Sequence, residues 1–282
     1  MSLRSETEVK LQQIIIEPKN DAWWHSVQNL WTYRELLWML AMREVSLRYR
    51  QTFLGVTWVI IQPLITSALF TIIFGMLMKA PSDDVAYGIF AFAGLLPWGV
   101  FSQSLQRAGV SLTRDIRMIT KIFFPRIIIP IANSISTLVD FLVSTCILAV
   151  LMLIYKIPFS WNLFMIPLFL VLTYVLSIGI GLIFAAFNVY YRDFTYVLPF
   201  VIQVWMFASP LAYSAKLIPE NWTWVYDLNP MVGIINGFRW AVFGTIDFPL
   251  QSLAYSIATS AVIFIVGLVI FNRLERKFAD VI

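Results

Sequence analysis

Apolar residues run along this chain in long blocks instead of alternating. Six stretches of roughly 20 residues or more, the length that crosses a hydrocarbon core of about 30 Å, occupy approximately Phe53 to Met78, Tyr87 to Leu105, Ile127 to Ile154, Leu163 to Phe187, Thr195 to Tyr213 and Gln251 to Phe271. They predict six membrane-spanning helices. Prolines at 63, 97, 130, 199 and 210 fall within or at the edges of these runs. Membrane helices tolerate proline where neighbours re-satisfy the freed carbonyl; the prolines are compatible with kinked, moving helices and equally with ordinary packing.

Three segments outside the runs carry a pattern of their own. From Ser111 to Phe124, Leu112, Ile116, Ile119 and Phe123 gather on one face of a helix and Arg114, Arg117 and Lys121 on the other, up to the stop at Pro125. Such a helix either rests in the headgroups with its cations on acidic lipid or docks on a partner. From Leu30 to Arg50, a polar stripe of Thr32, Glu35, Arg43, Ser46 and Arg50 lies opposite Leu30, Tyr33, Leu37, Leu40 and Ala41, while Arg34, Glu44 and Arg48 interrupt the apolar side. That pattern predicts an interfacial helix that does not cross. The segment 214–250 is apolar and rich in Trp222, Trp224, Tyr226 and Trp240, yet Pro219, Pro230, Gly233, Gly237 and Gly244 break it. It reads as a pair of half-inserted, re-entrant helices with aromatic residues at headgroup level.

Composition narrows the class. At 60% hydrophobic and 13% charged, the chain has too few charges to keep its apolar surface in water, which excludes a cytosolic enzyme, a disordered chain and a secreted disulfide scaffold. The polar start excludes a cleaved signal peptide. With both termini inside, sixteen Lys and Arg fall on the cytoplasmic side and four (Lys79, Lys156, Lys216, Arg239) outside, which sets the orientation. The chain then divides into a polar extension (1–24), an interfacial helix (25–52), a six-span domain (53–271) and a cytoplasmic tail (272–282).

Candidate chemistry is sparse. Cys146 has no partner in the chain and reads as a small buried hydrophobe; His25 stands alone, so no metal site is expected. There is no GxxxxGK[ST] phosphate loop and no catalytic constellation, so the chain is expected to hydrolyse nothing by itself. Asp140 is the one carboxylate deep in a span. It serves proton coupling or, with better support in the absence of an intramembrane cation, helix packing through Asn133, Ser136 or Ser144. Gly55, Gln62 and Thr66 share an arc of the first span with Trp58 beside it, and Tyr196, Phe200, Gln203 and Phe207 share one on the fifth. Rings interleaved with amides suit sugars, and they suit helix packing as well.

Taken together, RYRQTFLGVTWVIIQPL at 48–64, KIFFPR at 121–126, NVYYRDFTYVLPF at 188–200, SPLAYS at 209–214 and LNPM at 228–231 resemble the ABC-2 type permeases that export polysaccharides across the bacterial inner membrane, such as O-antigen, capsule and teichoic-acid exporters. The likeness covers about residues 25–282. It implies an all-α, six-span subunit working as a homodimer with two copies of a separate ATPase, which would bind ATP and Mg, and a lipid-linked polysaccharide as substrate. It also implies that Arg114, Ile116, Arg117, Ile119 and Lys121 form the coupling helix. Spans one and five would line the conduit through Trp58, Gln62, Thr66, Tyr196, Phe200, Gln203 and Phe207. Arg48, Arg50 and Arg192 would mark the cytoplasmic mouth, and Trp222, Trp224, Tyr226 and Pro230 the periplasmic gate. A drug-exporting ABC-2 permease, a proton-coupled carrier using Asp140 and an ion channel are the competing classes; nucleic acid is not expected as a partner.

Overall fold

A backbone amide in lipid must find its partner within its own segment, which leaves a chain of apolar runs little choice but helix. The computed structural model describes residues 30–50, 56–83, 85–119, 124–244, 247–276 and 278, and all regular structure among them is helical. The extension 1–24, Lys121 and most of the last few tail residues lie outside the described residues. In chain order the helices are α1 (Arg34–Arg50), α2 (Val56–Phe70, continued by a π-helical stretch Thr71–Leu77), α3 (Tyr87–Arg114), the single turn α4 (Ile116–Ile119), α5 (Ile128–Ile154), α6 (Ile166–Tyr190, led in by a 3₁₀ stretch Trp161–Met165), α7 (Phe194–Phe207), the short α8 (Thr223–Asp227), α9 (Pro230–Phe243) and α10 (Leu250–Glu275).

Five of these segments are long and apolar enough to cross a membrane: Thr57–Leu77, Tyr87–Arg114, Ile128–Ile154, Trp161–Tyr190 and Leu250–Glu275. The fifth expected span is shorter than the hydropathy suggests. Its apolar run extends to Tyr213, but the helix stops at Phe207, about 21 Å long at 1.5 Å per residue. Pro210 is the physical reason, since it lacks an N–H and disfavours helix at the residue before it. The expected separate helix over 111–124 also differs: Ser111 to Arg114 form the last turn of α3, and among the described residues Ile116–Ile119 make a further turn beyond the break at Asp115.

α3 is the hub, packed against α2, α5, α6, α7 and α9, while α6 and α9 pack on α10 and α1 lies along α5. Small residues allow the closest approaches. A Cβ on Gly179 of α6 would stand 2.7 Å from the Phe264 Cα of α10, and Gly267 of α10 faces the Gly179 carbonyl in return. α9 is delimited by local chemistry: Asn229 caps its start by accepting the Met231 N–H at 3.0 Å, Pro230 opens the first turn, and Gly244 ends it at φ 67°. Several hydroxyls inside the bundle are satisfied by their own helix, as where Thr173 donates to the Phe169 carbonyl at 2.7 Å, while Ser67 of α2 donates across to the Gly88 carbonyl of α3 at 2.8 Å. Cys146, expected inside, is exposed on α5, a position that a lipid-facing thiol occupies without cost.

Gly179→Val is therefore expected to destabilise the protein by about 1–3 kcal/mol through overpacking, read as a lowered thermal midpoint in detergent. Gly99→Ala, where no atom lies within 4 Å of the added methyl, should leave the midpoint unchanged.

Candidate functional site

Charge inside an apolar bundle must meet counter-charge, and at one end of this bundle it does so across three helices. α1 turns Leu40, Ala41 and Glu44 inward. The Glu44 carboxylate, 4% exposed, accepts from Arg43 at 3.0 Å and from Arg114 of α3 at 2.5 Å. Arg114 also donates to the side-chain oxygen of Asn133 on α5. Asn133 in turn donates to Asp115 at 3.2 Å, and Arg43 pairs with the other oxygen of Asp115 at 3.2 Å. One turn further along α1 a second level repeats the theme: Arg48 pairs with Asp140 of α5 at 2.6 Å and donates to Gln103 of α3 at 2.9 Å. Tyr49 donates its hydroxyl to Asp140 at 2.6 Å. Burial pushes the Tyr49 phenol up, and its bond to Asp140 acts in the same direction. The hydroxyl therefore stays protonated and donating throughout the physiological range.

These contacts correct two expectations. Asp140 is satisfied not by Asn133, Ser136 or Ser144 but by α1, and it does have a cationic partner in Arg48. The charges that interrupt the apolar face of α1, Glu44 and Arg48, are its attachment points. Sequence reading missed the pairing because the partner of each lies more than fifty residues away; the visible signal was two charges four apart on an otherwise apolar face.

The second level also walls a cavity of about 280 Å³. Gln62 and Thr66 reach it from α2, Trp98 and Ser102 from α3, Ser144 from α5 and Met206 from α7. Amides, hydroxyls and an indole around a water-sized-to-sugar-sized space can hydrogen-bond and stack on a neutral polyhydroxylated solute. The structure thus brings Arg48, Gln62 and Thr66 together. Trp58, Tyr196, Phe200 and Phe207 lie outside this cavity, and all four are exposed on the outer faces of α2 and α7 with Gln203. Arg50 is exposed at the end of α1, and Arg192 is exposed in the turn between α6 and α7. The side chains of Arg117 and Ile119, like Lys121, lie outside the described residues; Ile116 is partly buried.

At the opposite end the motifs SPLAYS and LNPM acquire a physical reason. Asn229 ties three elements: its oxygen accepts from Trp205 Nε1 of α7 at 2.8 Å, and its amide donates to the Ala208 carbonyl at 3.0 Å and to Ser209 at 3.1 Å, while it caps α9. Arg239 of α9, counted by sequence among the outer basic residues, is 1% exposed. It donates to the Leu211 carbonyl at 2.9 Å and lies 3.6 Å over the Phe90 ring, and Gly94 leaves it room. Tyr87 donates to the Ala212 carbonyl. The elbow 208–214 is held from both sides. Trp222 and Trp224 are exposed, whereas Tyr226 is half-buried against Tyr213 and Pro230 is buried.

A multi-pass helical membrane protein with an ion-clamped amphipathic helix at one end and a cavity adjoining the clamp is the class this geometry defines. The chain belongs to the ABC-2 type transporter family, whose pattern it matches over residues 35–243. It is 28% identical over 257 residues to an O-antigen export system permease protein, RfbA, of Klebsiella pneumoniae, covering 90% of this chain and 97% of that one. It is 29% identical over 258 residues to the RfbA protein of Myxococcus xanthus, covering 90% and 98%. To the polysialic acid transport protein KpsM of Escherichia coli it is 28% identical over 243 residues, covering 84% and 92%.

Removing one partner of the buried pair leaves an uncompensated charge. Arg48→Met or Asp140→Leu alone should each cost about 3–5 kcal/mol, and the double variant should recover most of that loss. Unfolding midpoints of the three variants in detergent check the cycle; single variants as stable as the parent would contradict it.

Proposed function

We propose that this chain is the membrane-spanning permease subunit of an ATP-driven exporter that carries a polysaccharide, of the O-antigen kind and borne on a lipid, out of the bacterial cytoplasm. The observation that carries the reading is the hydrogen-bonding, indole-walled cavity inside a bundle of apolar helices, whose one ion pair, Arg48 with Asp140, is closed on itself, in a chain that aligns over nine-tenths of its length with O-antigen export permeases. A sliding polymer needs weak, repeated contacts of this type and no tight charged site.

In this reading both termini are cytosolic, so that the clamp of Glu44, Arg114, Arg48 and Asp140 lies at the cytoplasmic end, as the sixteen-to-four distribution of basic residues favours. α7 with its elbow makes the fifth crossing, and α8 with α9 forms the re-entrant gate on the periplasmic side. Two copies associate so that the exposed rings of Trp58, Tyr196, Phe200 and Phe207 and the amides of Gln62 and Gln203 face a shared conduit. Arg48, Arg50 and Arg192 mark its cytoplasmic mouth. A separate ATPase, two copies per dimer, binds ATP and Mg and pushes on residues 111–124, with Ile116 and Ile119 as the apolar contact and Arg117 and Lys121 as the charged one. Arg114, held by Glu44 and Asn133, passes the motion to α1 and α5. The clamp also favours packing over proton relay for Asp140, because Arg48 and Tyr49 occupy both its oxygens.

Deletion of the gene should strip the surface glycan and leave its precursor inside the cell; a normal surface glycan after deletion would overturn the proposal. Replacing Arg114, Arg117 and Lys121 together by alanine should leave the ATPase running while export stops. The Arg117/Lys121 pair alone, which spares the clamp, should do the same, and coupled export in that pair variant would refute the docking role.

A further inference from the structure

The clamp occupies its own carboxylates: Glu44 with Arg43 and Arg114, Asp115 with Arg43 and Asn133, Asp140 with Arg48 and Tyr49. Arg107, two turns before Arg114 on α3, is left over. Among the described residues no hydrogen bond or ion pair reaches its guanidinium. Arg48 and Arg114 repel it, while Asp140 and Glu44, each already paired, attract it from a distance. The side chain is half-buried and opens on a recess of about 540 Å³ walled by Arg43, Arg48, Arg107 and Arg114 against only two carboxylates, Glu44 and Asp115. A guanidinium partly withdrawn from water beside like charges gains most from an external anion, and its planar fork matches two oxygens of a phosphate.

Arg48 walls both this recess and the cavity lined by Gln62 and Thr66. A cationic chamber thus adjoins a sugar-compatible one. We propose that Arg107 is the anion contact of a phosphate-ester subsite, positioned so that the phosphate end of a phosphate-linked saccharide rests in the recess while its first sugars enter the cavity. The phosphate half of this proposal stands on the recess alone; the saccharide half rests on the export reading given above. The same chemistry is offered by the headgroup of an anionic phospholipid, and the two sources are separable by experiment.

The test is isothermal titration of the full chain, in phosphatidylcholine nanodiscs, with inorganic pyrophosphate. A saturable isotherm is expected, weakened about ten-fold or more by Arg107→Gln, since a charge-assisted contact contributes about 1.5–3 kcal/mol. Arg107→Lys, which keeps the charge and the bulk, should weaken it less and supplies the reading if the glutamine variant does not assemble. Arg273→Gln, exposed near the end of α10, should leave it unchanged. In nanodiscs containing phosphatidylglycerol, a persisting isotherm identifies a diphosphate-bearing solute as the occupant, and a suppressed one identifies the lipid headgroup; both put the phosphate on Arg107. No saturable binding, an Arg107→Gln isotherm equal to the parent's, or equal weakening by Arg273→Gln would overturn the subsite. The titration involves neither sugar nor export, so its failure leaves the export reading to be judged by surface glycan on deletion.

Discussion

The arrangement depends on a pair of buried carboxylates, Glu44 on α1 and Asp140 on α5, that cannot remain in an apolar bundle without arginines to hold them. Each level of the clamp joins all three of α1, α3 and α5, through Glu44, Arg114 and Asn133 at one and Arg48, Gln103 and Asp140 at the other. An ion pair of this kind contributes little to stability over a hydrophobic alternative. What it provides is registry: α1 can seat in one position along α5, because a shift of one residue would strand at least one charge.

Registry matters because of what adjoins it. The same Arg48 that anchors α1 forms a wall of the cavity lined by Gln62 and Thr66, so a displacement of α1 changes that cavity's shape directly. At the far end Asn229 and Arg239 do for α7, the elbow 208–214 and α9 what the clamp does for α1, using amide and carbonyl contacts where the clamp uses charge. At that far end α2 finishes in a π-helical stretch, Thr71–Leu77, packed against Tyr87 at Gly75, a conformation that recurs at functional sites.

Much of this was legible in the sequence because lipid enforces hydropathy. The third run was read as Ile127 to Ile154 and the helix is Ile128–Ile154; the last was read as Gln251 to Phe271 and the helix is Leu250–Glu275. Where hydropathy and backbone chemistry disagree, backbone chemistry decides: Pro210 ends α7 although the apolar run goes on. Pairings between distant residues were not legible. Nothing local in residues 41–50 announces that Arg48 meets Asp140, and Arg239 reads as a surface cation until Phe90, Gly94 and Leu211 are seen to enclose it. At 111–124 periodicity did not show the break at Asp115 that ends α3, nor that Arg114, exposed at that end, also reaches Glu44 and Asn133.

That the two-level clamp holds α1 in place can be tested by hydrogen exchange on the full chain in nanodiscs, comparing the parent with a Glu44→Leu/Asp140→Leu variant. The account predicts that backbone amides of α1 lose protection in the variant while those of α5 beyond the clamp, residues 145–154, keep it. Equal protection of α1 in both proteins would contradict the claim that charge pairing, and not the apolar contacts of Leu40 and Ala41, sets its seat.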